Sequence, residues 1–292
     1  MANRILRRIF KEDGRMDISV IGLGLIGGSL ARTIKLHTDH HVYGFDLNNA
    51  TMQQADLLGA IDGVADDGVI ARSDLILVAL YPGAIIEWIT NHKHLFKPDS
   101  LVIDCGGVKQ VICNAIAPLC GGASWHFIGG HPMAGREFSG FKYTRDDLFD
   151  HASMILTPIK DEDPALLQRA RDFFLGIGFR RVQFTTPQTH DEMIAYTSQL
   201  AHIVSSAYVK CPLADKHRGF SAGSFADMTR VARLNEDMWT ELFFDNREAL
   251  LPEVEGLVDR LTAYRDALRN NDRESMKALL KEGREIKERL SE

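Results

Sequence analysis

The sequence predicts an α/β domain followed by an all-α domain, and two observations carry that prediction. Between Asp17 and Phe184, short runs rich in β-branched residues alternate with helix-like stretches. After Pro187 such runs vanish, and long segments of Ala, Leu, Met, Glu, Lys and Arg take over. Ile18-Ser19-Val20-Ile21, Val42-Tyr43-Gly44-Phe45, Leu75-Ile76-Leu77-Val78, Leu101-Val102-Ile103 and Met154-Ile155-Leu156 read as strands, each bounded by Gly, Asp or Pro. Strands separated by helices imply right-handed crossovers and a mainly parallel sheet. The boundary is set at Pro187, giving domains at 16–186 and 187–292.

In the second domain Leu250, Val254, Leu257, Leu261, Tyr264 and Leu268 recur at alternating spacings of four and three. That lays one apolar seam along a helix, and a seam needs a second helix, either within the chain or from another subunit. Pro252 interrupts the pattern, as a kink or as a turn.

Composition excludes several function classes. The 292 residues are 45% hydrophobic and 25% charged, the balance of a soluble globular protein with enough chain to bury a core unaided. A formal charge of −6 leaves no global positive field to gather nucleic acid or anionic lipid. The longest apolar runs are too short to cross a bilayer, so neither a nucleic-acid nor a membrane partner is expected. Cys105, Cys113, Cys120 and Cys211 form no CxxC pair, which favours reduced thiols and a cytoplasmic location over disulfides or zinc. Residues 1–16 carry Arg4, Arg7 and Arg8 but lack an apolar stretch and a small-residue cleavage site. They read as an extension rather than a targeting peptide, with Met16 a candidate start.

Residues 18–30 read ISVIGLGLIGGSL, with Gly22, Gly24 and Gly27 forming GxGxxG between the first strand and a helix. Gly22 permits the tight turn, Gly24 admits a pyrophosphate to the backbone, and Gly27 lets the helix lie close to the sheet. Unpaired N–H groups at the opening of the helix, where Leu25 and Ile26 stand, then face the phosphates. Asp46 follows the second strand at the spacing expected of an acid that hydrogen-bonds the adenosine ribose. Leu47, Asn48 and Asn49 supply no Arg for a 2′-phosphate, so NAD is favoured over NADP. Together these residues predict a Rossmann-like dinucleotide-binding domain. The competing reading makes the glycines a plain turn and Asp46 a cap.

Among eleven histidines, His37, His40, His41, His92 and His94 lie in polar connections, and no carboxylate or thiolate spacing supports a metal site. His131 differs: it sits in Gly129-Gly130-His131-Pro132-Met133-Ala134-Gly135, just after Phe127-Ile128. Strand ends of this kind line the crevice where open α/β sheets bind ligands, although a structural turn histidine fits the local pattern too. On the helix after Pro187, Asp191, Ala195, Ser198 and His202 fall at offsets of zero, four, seven and eleven, which puts them on one face. Met193, Leu200, Val204 and Ala207 fall on other faces as candidate core. Arg230 follows a Gly/Ser-rich bend among apolar residues, a costly place for a guanidinium without an anionic partner such as Asp227, Glu137 or a substrate.

In order and spacing, these motifs resemble the prephenate/arogenate dehydrogenase family of tyrosine biosynthesis over nearly the whole chain. The resemblance rests on GLGLIGGSL, on Asp104-Cys105-Gly106-Gly107-Val108-Lys109, and on GGHPMAG with Glu137 and Gly140 following. It continues through His190-Asp191, Ser198 and His202 to Asp227-Met228-Thr229-Arg230 and Met238-Trp239. It implies a nucleotide-binding domain followed by a helical domain that makes a homodimer. It also implies NAD-dependent oxidative decarboxylation of prephenate to 4-hydroxyphenylpyruvate, with no metal, or of arogenate to tyrosine. By this resemblance His131 matches the catalytic histidine, Arg230 the arginine that holds a substrate carboxylate, and His202, with Ser198, the pocket wall. Gly107 stands where relatives commonly have serine, and Ala226 where a basic residue is often found. Those departures prompt a rival reading as a non-catalytic nicotinamide-binding protein. A β-hydroxyacid dehydrogenase would share the two-domain plan, but its GxxxNxxK pattern is missing. No regulatory extension follows Glu292 and no chorismate mutase segment precedes Met16, so any tyrosine feedback is expected at the active site.

Overall fold

The computed structural model describes residues 14–135 and 138–291. The reading of the first residues as an extension, and that of Glu137 as a partner of Arg230, lie outside them. Among the described residues eight strands form one sheet: β1 (Asp17–Ile21), β2 (His41–Phe45), β3 (Gly63–Val64), β4 (Leu75–Val78), β5 (Leu101–Asp104), β6 (His126–Pro132), β7 (Ser153–Pro158) and β8 (Arg181–Phe184). Their order is β3-β2-β1-β4-β5-β6-β7-β8, with β7 antiparallel to β6 and the other pairs parallel. From β1 the chain runs outward through β2 and β3, then returns to β4 on the other side of β1. That reversal opens a crevice at the carboxyl ends of β1 and β4.

Both faces of the sheet are covered, as its central strands require. Ile18, Val20, Leu75 and Leu77 pack into one apolar cluster, while Ile21, Ile76 and Val78 pack into the other. Alternation of neighbouring residues between two buried faces turns these strands into unbroken apolar runs. The covering helices are α1 (Leu25–His37), α2 (Asn49–Leu57), α3 (Asp67–Ile70), α4 (Pro82–His92), α5 (Gln110–Ile116) and α6 (Pro164–Gly176). Between β6 and β7 the described residues hold only a 3-10 turn, Phe141–Tyr143. Without a crossover helix the chain re-enters antiparallel. The sequence reading omits β8, whose alternation of exposed Arg181 and Gln183 with buried Val182 leaves no apolar run to detect.

Thr186 caps the first helix of the second domain, α7 (Pro187–Ile194), by accepting the Thr189 N–H. A π-turn, Ala195–Gln199, joins it to α8 (Leu200–Tyr208), and α9 (Gly223–Thr229), α10 (Glu236–Asp245), α11 (Arg247–Arg269) and α12 (Arg273–Arg289) follow. Pro252 lies inside α11, in its second turn, and the helix continues through it. The apolar seam divides. Leu250, Val254 and Leu257 pack against Ala195, Leu200 and Phe243, whereas Leu261 and Leu268 are 57% and 72% exposed. Met193 does not join the core, being 55% exposed, and Ala207 is exposed as well.

Candidate active site

The cofactor candidates converge at the crevice. Gly22 has φ +85°, and a Cβ there would stand 2.5 Å from the Ala79 carbonyl oxygen at the end of β4. Gly24 borders open space at the N-terminus of α1, where no side chain caps the helix. A Cβ on Gly27 would lie 1.9 Å from the Gly22 carbonyl oxygen, so only glycine lets α1 start this close to the turn. Leu25 and Ile26 open that helix, whose first N–H groups have no intrahelical acceptor. Asp46 stands beside them: its Oδ2 accepts the Leu23 N–H at 2.9 Å and its Oδ1 the Asn48 N–H at 2.8 Å. Each carboxylate oxygen keeps a second lone pair for a ligand hydroxyl. An adjoining cleft of about 590 Å³ is lined by Phe45, Val64, Ala65, Ile70 and Trp88. The open backbone at Gly24, the uncapped helix and the outward acid fit a dinucleotide.

Along the crevice, β6 carries His131 near its end, and the helical domain reaches it. His131 Nδ1 lies 2.9 Å from His190 Nε2, and His190 Nδ1 lies 2.7 Å from Asp191 Oδ1 on α7. Asp191 also accepts the backbone N–H groups of Lys109 at 2.7 Å and Gln110 at 2.8 Å, placing its charge at the positive end of α5. Asn246 donates to the Asp191 carbonyl at 2.9 Å and to Gln199 Oε1 at 2.7 Å, which ties the relay to α11.

These contacts decide the tautomers. The Asp191 carboxylate only accepts, so His190 Nδ1 carries a proton and its Nε2, in the neutral ring, accepts. His131 must then donate from Nδ1, which leaves Nε2 with a lone pair and no partner among the described residues. Burial is the main cause that keeps both rings neutral. It lowers the His190 pKa, and together with His190 and the Lys109 charge it holds His131 well below the ordinary 6.5. The site thus presents a neutral, oriented imidazole acceptor.

The rest of the candidate set is arranged differently from the sequence expectation. The π-turn shifts the helical phase after Ile194, so the face expected to carry Asp191, Ala195, Ser198 and His202 is wider than a regular helix would make it. Asp191 and Ala195 are fully buried, while Ser198 and His202 are half-buried. His202 Nδ1 faces the Val231 carbonyl at 3.1 Å, and its ring lies 4.0 Å from that of Trp239. Burial lowers its pKa against the Val231 bond, and the neighbouring Arg230 charge lowers it further. Arg230 itself is exposed at the end of α9, so its guanidinium bears little of the desolvation cost that its apolar neighbours in sequence suggested.

Models of the prephenate dehydrogenase nucleotide-binding domain and the prephenate dehydrogenase dimerization domain match residues 30–183 and 186–282. The chain belongs to the prephenate dehydrogenase family. It is 27% identical to a prephenate dehydrogenase of Bacillus subtilis over 94% of this chain and 76% of that protein. A cyclohexadienyl dehydrogenase of Zymomonas mobilis is 31% identical over 87% of this chain and 89% of its own. The solved structure of a prephenate dehydrogenase from A. aeolicus, in complex with hydroxyphenyl propionate and NAD+, superposes with a TM-score of 0.81 at 26% identity. That match covers 96% of this chain and all of the other.

Gly107 lies beside α10. A Cβ there would come 3.2 Å from Leu242 Cδ2, the end of a side chain on α10, a close contact that a small shift of that leucine would relieve. His131 takes its orientation from its contact with His190. His190 stands beside Asp191 in a motif visible in the sequence, but nothing in the sequence assigns it a role. The parts played by Lys109, Gln199 and Asn246 are equally hidden in the sequence, because their contacts with the relay reach across 47 to 82 positions of the chain.

Proposed function

We propose that this protein catalyses the NAD-dependent oxidative decarboxylation of prephenate to 4-hydroxyphenylpyruvate, with His131 as the general base. The observation that carries this reading is the tautomer relay, which leaves His131 Nε2 an acceptor at the carboxyl edge of the sheet that also holds the glycine turn. The nicotinamide of bound NAD supplies the hydride acceptor. His131 receives the proton of the ring 4-hydroxyl as the hydride leaves C4, and loss of the ring carboxylate as CO2 completes the aromatic ring. Charges balance without net proton release, so His131 returns its proton to the phenolic oxygen. Gly22, Gly24, Leu25, Ile26 and Gly27 hold the pyrophosphate, Asp46 the ribose, and the cleft beside Trp88 the adenine.

Arg230 holds a substrate carboxylate, while His202 and Ser198 line the pocket. Arg230→Gln removes a charge-assisted contact of about 1.5–3 kcal/mol, which raises KM for prephenate about tenfold or more and leaves kcat largely intact. An unchanged KM in steady-state assays would refute that role. Asp46 repels a 2′-phosphate, so kcat/KM with NADP falls about 100-fold below that with NAD, and Asp46→Asn narrows the gap. Equal rates with both cofactors would overturn the assignment.

The match to a dimerization domain and the exposed end of the α11 seam support a homodimer. Four free cysteines, three of them buried, support a reducing cytoplasmic location. Among the described residues no helix is long and apolar enough to cross a membrane. The cyclohexadienyl dehydrogenase relative favours arogenate as a second substrate. Recording NADH formation from each compound tests the proposal, and no NADH from either would refute it.

A further inference from the structure

Among the largest side chains with less than 2% exposure in the described residues is a lysine, Lys109. Its ammonium pairs with the equally buried Asp104 at the end of β5 and donates to the Gly130 carbonyl at 2.6 Å. Asp104 holds the other side of the same residue, since its Oδ1 accepts the Gly130 N–H at 3.2 Å while its Oδ2 accepts the Gly106 N–H at 2.9 Å. Gly130 directly precedes His131. The tunnel for the lysine stem is shaped by glycine, because a Cβ on Gly129 would approach Lys109 Cδ to 3.3 Å and Thr157 Oγ1 to 2.3 Å.

At its backbone, Lys109 meets the opposite end of the relay, for its N–H donates to Asp191. The contacts therefore close a ring running from His131 through His190, Asp191, Lys109 and Gly130 back to His131, across both domains. Packing alone does not ask for such a pair. Burying an ammonium and a carboxylate costs several kcal/mol each, and an apolar pair of similar volume is often as stable.

We propose that Lys109, clamped by Asp104, is a positioning residue: it fixes both ends of the His131–His190–Asp191 relay and so sets the direction in which His131 presents Nε2. This rests on the reading of His131 as the base. Among the described residues, the groups acting electrostatically on His131 are His190 from α7 and Lys109 from the loop before α5. Asp191 and Asp104 stand one hydrogen bond farther back. Removing the nearby cation relieves the repulsion that disfavours an imidazolium at His131, so its pKa rises.

The test compares the full-length protein with the double variant Asp104→Asn/Lys109→Met, which removes both charges together; Lys109→Met alone would strand a buried carboxylate. Circular dichroism should report a folded protein, and NAD affinity should match the parent. With the relay loosened, kcat for prephenate falls about ten- to 100-fold at unchanged KM, and the acid limb of the kcat/KM profile moves to higher pH. Titration of the 15N-labelled His131 ring by NMR reads the same change without turnover. A ring that titrates as in the parent, with kcat retained, overturns the role of Lys109. A shifted ring in a protein whose parent turns over neither prephenate nor arogenate upholds the positioning role and refutes the assigned reaction.

Discussion

Replacing His131 with asparagine lowers kcat with prephenate by about 100- to 10,000-fold, the range expected when a positioned general base is lost. Asparagine keeps a donor that can reach His190 but offers no basic nitrogen where Nε2 stood. Nucleotide affinity survives, because the dinucleotide cradle is built from the turn after β1 and from Asp46 rather than from β6. The pH profile carries a second signature. With the His131 pKa held well below 6.5, chiefly by burial, the neutral base persists as the solution is acidified past 6.5. The acid limb of kcat/KM for the parent protein therefore falls below pH 6.5. A limb at or above 6.5 would mean that an exposed group takes the proton.

Gly27→Ala is the second large effect, and its cause is steric. The new methyl group would be placed 1.9 Å from the Gly22 carbonyl oxygen, and the atom in its way is backbone rather than the end of a flexible side chain. Either the start of α1 moves out or the turn at Gly22 opens, and both spoil the alignment of N–H groups toward a pyrophosphate. Overpacking of this kind costs about 1–3 kcal/mol of stability. NAD affinity is expected to fall about tenfold or more, since each 1.4 kcal/mol of lost contact is a factor of ten. Calorimetric titration with NAD and a thermal melt check both, and parental values for each would show that the helix does not need this close approach. Gly24→Ala is the internal comparison: nothing lies within 4 Å of its added methyl in the protein itself, so it should spare the melt and weaken the nucleotide.

Much of this architecture is legible from periodicity. β1 and β4 announce themselves as apolar runs because both faces of the sheet are covered, and Gly22 and Gly27 mark where one stretch of backbone approaches another. β8 escapes because an edge strand with Arg181 and Gln183 facing water has no such run. The stripe from Asp191 to His202 is only partly legible for a different reason: a π-turn inserts a phase shift that no count of residues at 3.6 per turn contains. The seam on α11 is legible as a seam, but the point where it leaves the chain's own core, between Leu257 and Leu261, depends on how far the other helices extend over it.

Of the candidate site, His131 is legible from its place between glycines at a strand end. His190 is not, because its contact with His131 spans 59 positions and joins two domains. Lys109 is harder still. A lysine reads as surface, and only the tertiary structure shows an ammonium held between Asp104 and Gly130. Asp104, Lys109 and Asp191 all lie in motifs that the sequence displays, so what it withholds is their geometry.

The most direct measurement is a crystal structure of the protein with NAD and a 4-hydroxyphenyl ligand. The relay requires Nε2 of His131 within about 2.6–3.2 Å of the ring hydroxyl, with Nδ1 still turned to His190. A ring flipped to offer Nδ1, or a hydroxyl held by some other residue, would contradict it.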